Sequence, residues 1–365
     1  MTQLRHIDDQ DAWDRVVQAF PNCDLRQSHA WGETRRHQGW KPVRMAAFDG
    51  DACLAAIAVY VRRIPGLGAI AYGPRAPMFD ASDERAWAAV PSLVRAVGRA
   101  ARATFVRVSL GFADDRADVV AHLRASGFTA VPEFWSVWNS PRNVMLLDLA
   151  GEERDLLARM ARKRRQHIST AGKKGITTEW SKELDALQHF YAMLREHAER
   201  LRYPIRDWKY FEALHKAFAP RGELGLVFGL VQRDVACALL GVRYGTVAYP
   251  LYAPSTPAAR GTAVGDLVHW EWIRWARAEG CRQIDFGSSG THVPPRETDS
   301  NYGIYRFKTE LGCRLELNVP YHDYVFAPLR YRAFRMLERS ALPRLRRLLG
   351  RMPPVVRAVV ARRAA

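Results

Sequence analysis

Five cysteines in 365 residues, Cys23, Cys53, Cys237, Cys281 and Cys313, form no CxxC pair and keep no ligand-like spacing to histidine. That scarcity argues against a disulfide framework and a structural zinc, and fits a reducing compartment. No run of about 18 apolar residues exists, so no helix is expected to span a membrane. The first residues, MTQLRHIDDQDAW, lack the apolar stretch of a secretory signal, and a cytoplasmic location is expected. GxxxxGK[ST], a GxGxxG after a strand, HExxH and GxSxG are all missing, which removes the common nucleotide-loop, zinc-protease and serine-nucleophile motifs.

Acid is absent from one stretch where base is dense. Residues 159–174, RMARKRRQHISTAGKK, hold seven Lys/Arg and no Asp or Glu, and Gly175 follows. Leu156, Met160, Ile168 and Ala171 recur near helical spacing, so the run reads as a basic helix stopped by glycine. A second block, residues 330–365, has eleven Arg against one Glu, and the two blocks account for the whole formal excess of +17. Charge confined to two places points to a polyanion more than uniform basicity would, although a basic run is also what a solvated helix face looks like.

What is present in quantity is apolar surface: 48% hydrophobic and 11% aromatic residues are ample for packed cores, and the length suggests two domains. The first half reads as a helix near 9–20 and a second helix capped by Ser28 and stopped at Gly39. A hairpin about Asp49-Gly50-Asp51 and the strand IAYGP follow, then the helix ERAWAAVPSLVRAVGRAARA and the strand TFVRVSL. After the basic run the grammar repeats. LDALQHFYAMLREHAERL and DWKYFEALHKAF are helices, and three strands turn at Gln232-Arg233-Asp234 and Tyr244-Gly245. The helix AVGDLVHWEWIRWARAEG then precedes the strand CRQIDFG. The fold class is therefore α/β (α+β), a structural duplication of two mixed-sheet units. Domains are expected at 1–150 and 151–330, followed by a basic tail of broken amphipathic helices at 331–365.

Two segments carry candidate chemistry. Residues 259–265, ARGTAVG, bring glycines to a strand-to-helix junction, where backbone N–H groups can meet an anion; a plain helix-entering loop is the other reading. The arginine or glutamine that a coenzyme A loop carries three residues before Gly261 is missing, since Ala258 stands there. In NYGIYRFKTELG, residues 301–312, Lys308 follows Phe307 after a long polar loop. A lysine so placed could offset a developing oxyanion, or could simply be a surface lysine.

With these pieces in order, the chain resembles the Fem (FemABX) aminoacyltransferases, which carry two acetyltransferase-like (GNAT-like) domains. The resemblance runs from about Leu25 to Arg332. LRQSHAWGETRRHQGWKPVRM and IPGLGAIAYGPRAP look like the family's early helix, strand and loop. LARMARKRRQHISTAGKKGI is similar to its K-x-R-x-x-I-x-x-A-x-x-x-G helix. GIYRFKTELG is similar to its YxFKxxFG signature, with Leu311 where Phe is common. The resemblance implies transfer of an amino acid from aminoacyl-tRNA to an amine of a peptidoglycan precursor, with no metal and no cofactor. It implies that Phe307 and Lys308 line a channel between donor and acceptor and that the lysine stabilises the oxyanion. It also implies that Lys41, Tyr72, the i,i+4 pair Arg206 and Tyr210, and Tyr252 hold the precursor. Arg164, Arg165 and Arg260 are the candidates for the donor's phosphates. The family's long coiled-coil insertion is absent from the second domain, and Fem-like chains also serve exopolysaccharide production, so a polysaccharide precursor is a further possible acceptor.

Two other readings stay open. One is an acyltransferase that takes coenzyme A thioesters to a polysaccharide or lipid amine. The other is a non-catalytic envelope-assembly or nucleic-acid-binding protein. The basic tail suggests peripheral contact with anionic membrane, at the inner face, or with tRNA.

Overall fold

The structure, a computed structural model, describes residues 2–131, 142–288, 295–299 and 301–351. They form two compact units, one from residues 1–140 with 319–365 and one from residues 141–318.

The first unit begins with β1 (Gln3–His6), α1 (Gln10–Gln18), α2 (His29–Arg36), β2 (Lys41–Asp49), β3 (Ala52–Ile64), β4 (Gly68–Pro74) and β5 (Met78–Phe79). It continues with α3 (Glu84–Ala100), β6 (Ala103–Ser109), α4 (Ala117–Ala125) and β7 (Thr129–Val131). The helix starts follow from their caps: Asp9, Ser28 and Asp83 accept backbone N–H groups of α1, α2 and α3. Gly50, at φ 58°, turns the chain between β2 and β3. The sheet order is β1-β2-β3-β4-β6-β15-β7, with β15 (Tyr321–Val325) inserted between β6 and β7 and β5 paired to β3. α3 covers one face, burying Leu93, Val94 and Val97 with Ile57, Val106 and Val108 of the sheet.

The second unit is built from β8 (Asn143–Asp148), α5 (Glu153–Arg159), α6 (Arg162–Thr170), β9 (Ile176–Ser181), α7 (Leu184–Leu201) and α8 (Trp208–Phe218). Then come β10 (Leu224–Val231), β11 (Asp234–Tyr244), β12 (Val247–Tyr252), α9 (Val264–Ala278), β13 (Gln283–Asp285), α10 (Tyr302–Glu310) and β14 (Arg314–Leu317). Its seven strands run β14-β8-β13-β12-β11-β10-β9. α9 lies over β10 and β11, where Gly225, Gly229 and Gly241 leave room for the Trp272, Val264 and Val268 side chains.

The duplication is plain in the pairing. Among the described residues each sheet has one parallel pair, β4 with β6 and β12 with β13, and each is joined by a crossover helix, α3 or α9. Each is preceded by two helices and an antiparallel hairpin.

Three expectations change. The compact units are cut differently from 1–150 and 151–330, because β8 pairs with β13 and β14 in the second sheet while β15 pairs with β6 and β7 in the first. The basic run is not one helix. The chain turns extended at Met160 (ψ 153°), where the Ala161 N–H bonds Glu310 O at 2.8 Å. Arg165 then takes the carbonyls that α5 leaves open, donating to Met160 O at 2.5 Å and Ala158 O at 3.3 Å. Gly175 does stop the segment, at φ 66°. The last segment forms a single helix, α11 (Pro328–Arg351), rather than broken pieces; residues 352–365 lie outside the described residues.

Candidate active site

The second unit's parallel pair is short. β12 meets β13 only at Val247↔Gln283 and Ala248↔Ile284, although β12 runs on to Tyr252. Beyond Asp285 the β13 strand stays with β8 instead: Phe286 N donates to Met145 O at 2.9 Å, and Met145 N donates to Gly287 O at 3.0 Å. The two parallel strands therefore stop pairing at this point.

Lys308 binds the segment that follows β13. It sits on α10, and its Nζ donates to Phe286 O at 2.6 Å and Ser288 O at 2.7 Å, the carbonyls just past the end of β13. An ammonium has three N–H bonds, so two are used here among the described residues. Burial pushes its pKa down to about 8, with Cys313 and Asp285 opposing the shift. The neighbouring Cys313 thiol is pushed up to about 12 by the same burial.

Phe307, one residue earlier, meets the His269 ring edge-on at 4.8 Å and lies under the Arg164 guanidinium at 4.8 Å. His269, on α9, also stacks on Phe286, and its Nδ1 bonds Gly265 O at 2.7 Å; burial lowers its pKa, so it stands as neutral imidazole.

Beside this aromatic group opens a cleft of about 580 Å³ at the start of α9. Lys163, Arg164, Arg200 and Arg260 contribute its cationic lining, with His167 beside them and Gly261 and Gly265 as backbone floor. Gly261 takes φ 75°, a conformation that suits glycine in this turn. Asp266, in the first turn of α9 and only 3% exposed, accepts from Arg164 Nη1 at 2.6 Å and from the ring nitrogen of His167. Arg164 also grips Glu310 Oε2 through Nε at 3.0 Å and Nη2 at 2.7 Å.

The residues singled out in the sequence fall into separate groups. Phe307, Lys308 and Arg164 are brought together. Arg164 lines the cleft, but its charge is met by two carboxylates. Arg165 is turned to the end of α5 and edges a shallow depression with Leu157 and Arg162. Arg260 is exposed at the cleft rim. Arg206, Tyr210 and Tyr252 form a second group: the Arg206 guanidinium lies 5.8 Å from the Tyr210 ring, and Tyr210 stands 6.4 Å from Tyr252. Arg206 is not on the helix as expected. Asp207 is the N-cap of α8, so Arg206 precedes it and reaches Tyr210 from the loop. In the first unit, Lys41 is exposed at the start of β2, and Tyr72 is buried with Phe105 and Tyr321, 3.3 Å from Ser109 Oγ. Sequence reading missed Asp266, His167, Glu310 and His269. The one available signal was Arg164 and His167 at i,i+3 on a short basic helix, a spacing that asks for a shared acid.

Comparison with known proteins agrees with this architecture. A FemAB family model matches residues 9–109, and an acetyltransferase (GNAT) domain model matches residues 157–308. A lipid II:glycine glycyltransferase of Staphylococcus saprophyticus is 24% identical, over 89% of this chain and 93% of its own. A solved structure of FemX superimposes with a TM-score of 0.83 at 20% identity, covering 92% of this chain and all of the other. The chain is similar to FemABX proteins along most of its length. A tandem GNAT protein from the clavulanic acid biosynthesis pathway shares the fold at a TM-score of 0.52 and 10% identity. This FemABX-like chain is thus an acyltransferase with two GNAT-like units, and none of its described helices is long and apolar enough to cross a membrane.

Proposed function

We propose that this enzyme moves an amino acid from aminoacyl-tRNA to an amine of a peptidoglycan precursor. The observation that carries the reading is the Lys308 ammonium, held by two carbonyls just past the end of β13, with its third N–H unassigned among the described residues and open to a substrate oxygen in this reading. The precursor as acceptor is supported by the glycyltransferase relatives, whose names give lipid II as theirs.

The chemistry asks little beyond placement. The acceptor amine, as free base, adds to the ester carbonyl of the donor; a C–N bond forms and the carbonyl electrons move to oxygen. Lys308 donates its third N–H to that oxyanion. Collapse breaks the C–O bond, the ribose hydroxyl leaves, and the proton shed by the amine goes to the leaving oxygen. Phe307 walls the passage beside the lysine, and the cationic cleft at α9, with Arg260 at its rim, takes the donor's phosphates. Arg206, Tyr210 and Tyr252 of the second unit are assigned to the precursor.

A second reading shares the cleft: the same glycine turn and arginines suit the phosphates of coenzyme A. The two separate in one assay. The purified enzyme is given lipid II with radiolabelled aminoacyl-tRNA or with radiolabelled acetyl-coenzyme A. Label should pass to lipid II from the RNA donor alone. Transfer from the thioester with no dependence on RNA would overturn the reading.

A further inference from the structure

Attack of an amine on an ester leaves a proton to be moved. The nitrogen that has added carries one proton too many, and the ribose oxygen departs poorly unless it receives one. Lys308, as an ammonium, has no lone pair to take it. The carboxylates around the lysine are committed elsewhere: Asp266 to Arg164 and His167, Glu310 to Arg164, and Asp285 to the Gly287 N–H at 2.7 Å. The Cys313 thiol, pushed up to about 12, keeps its own proton.

His269 is placed to do what these groups do not. Its ring lies between the two residues that frame Lys308. It stacks at 6.2 Å on Phe286, whose carbonyl holds the ammonium, and it meets Phe307, the residue before the lysine, at 4.8 Å. A carbonyl only accepts, so Nδ1, 2.7 Å from Gly265 O, carries the ring proton and Nε2 keeps its lone pair. Among the described residues Nε2 makes no hydrogen bond, and the ring is half-buried instead of sealed. Three charged groups act on it. Asp266, on the same helix, favours protonation, while Lys308 from α10 and Arg164 from α6 oppose it together with burial, and the imidazole stays neutral. A fixed tautomer beside an ammonium sets a base next to an oxyanion donor.

We propose that His269 Nε2 takes the proton from the attacking amine and returns it to the leaving oxygen. The C–N bond forms as the carbonyl electrons move to the oxygen held by Lys308, and the amine's proton passes to Nε2. The C–O bond then breaks, the imidazolium protonates the ribose oxygen, and the neutral ring is restored. This step rests on the proposed function and adds a catalytic residue to it.

The test is single-turnover transfer by the full chain with saturating lipid II and radiolabelled aminoacyl-tRNA. Two variants separate chemistry from support. His269→Phe keeps an aromatic ring between Phe286 and Phe307, and His269→Asn keeps an amide N–H for Gly265 O, but neither offers a base at the place of Nε2. Both should lower the rate about 100-fold. Added imidazole should raise the rate of His269→Ala and leave that of Lys308→Ala unchanged. Thermal melting reports folding, and the Asn variant carries the test where the Phe variant does not fold. A parent-like rate in either variant gives the ring a packing or tethering role and overturns the proposal, as does a loss that imidazole cannot restore in His269→Ala. The same enzymes are run with radiolabelled acetyl-coenzyme A. Transfer by the parent from the thioester alone, lost equally in the variants, would overturn the proposed donor and keep the base, because amine attack on a thioester sheds the same proton. A parent that uses neither donor overturns both.

Discussion

The Lys308 ammonium is held in a place that costs it charge, since burial brings its pKa to about 8 from an ordinary 10.5. Two consequences have opposite signs. If the charged form stabilises the oxyanion, activity falls as pH rises through about 8. Lys308→Arg, where it retains activity, should lose that alkaline limb because guanidinium does not deprotonate; a pH–rate profile of both enzymes checks this. Stability moves the other way. The folded state binds fewer protons than the unfolded one between pH 8 and 10.5, so this group's contribution to stability rises with pH across that window. Lys308→Ala should lower kcat by about 100- to 1000-fold, the effect of removing one oxyanion donor, with the fold retained. Equal rates in a single-turnover assay would dismiss the lysine from the chemistry. Asp266 acts differently. Buried against Arg164 and His167, it accepts hydrogen bonds that both lose when it is removed, so Asp266→Ala should cost on the order of 2 kcal/mol in urea unfolding. Lys308 was legible in the sequence because a contiguous signature, YRFK, carries it. Asp266 was not, since its partners Arg164 and His167 arrive from about 100 residues earlier and no local pattern pairs them.

At the scale of elements, the position of α9 decides where the site opens. Three strand glycines let the helix settle on the sheet. At Gly241 an added Cβ would stand 2.5 Å from Tyr249 O and 2.6 Å from the Trp272 ring. The first of these is backbone and cannot swing aside. Gly241→Ala should therefore destabilise by about 3 kcal/mol, measured by urea or thermal melting, and should also displace the first turn of α9 that carries Asp266. A melt within error of the parent would show that the helix can shift freely. Helices and hairpins were largely readable: Ser28 caps α2, Gly39 follows it with φ 77°, and the turn at Gly50 joins β2 to β3 as its Asp-Gly signal indicates. The break between α5 and α6 was not. Leu156, Met160 and Ala171 are all buried, so the apolar rhythm survives an interruption that is made by long-range bonds from Ala161 to Glu310 and from Arg165 to the end of α5. Arg206 was misplaced for a kindred reason: its contact with Tyr210 is real, but a cap at Asp207 puts it in the loop.

Across the whole molecule, the repeated order of helix, hairpin and crossover was visible in the sequence, whereas the exchange of strands between the halves was not. A strand's partners are set by the sheet it joins, and a short apolar run such as NVMLLD carries no mark of which sheet that is. The consequence can be measured on fragments. Residues 141–318 include every strand of the second sheet, from β8 to β14. A fragment 151–330 lacks β8, which lies between β14 and β13 and buries Val144, Met145, Leu146 and Leu147. Four such side chains are worth about 6 kcal/mol or more, close to the whole stability of a domain this size. The first fragment should unfold in one cooperative transition by circular dichroism. The second should show none, and should not recover one when the rest of α11 and the chain beyond it are added, because those residues belong to the other unit. Cooperative unfolding of 151–330 with native-like amide protection in β13 would mean that β8 is dispensable and that the sheet closes without it.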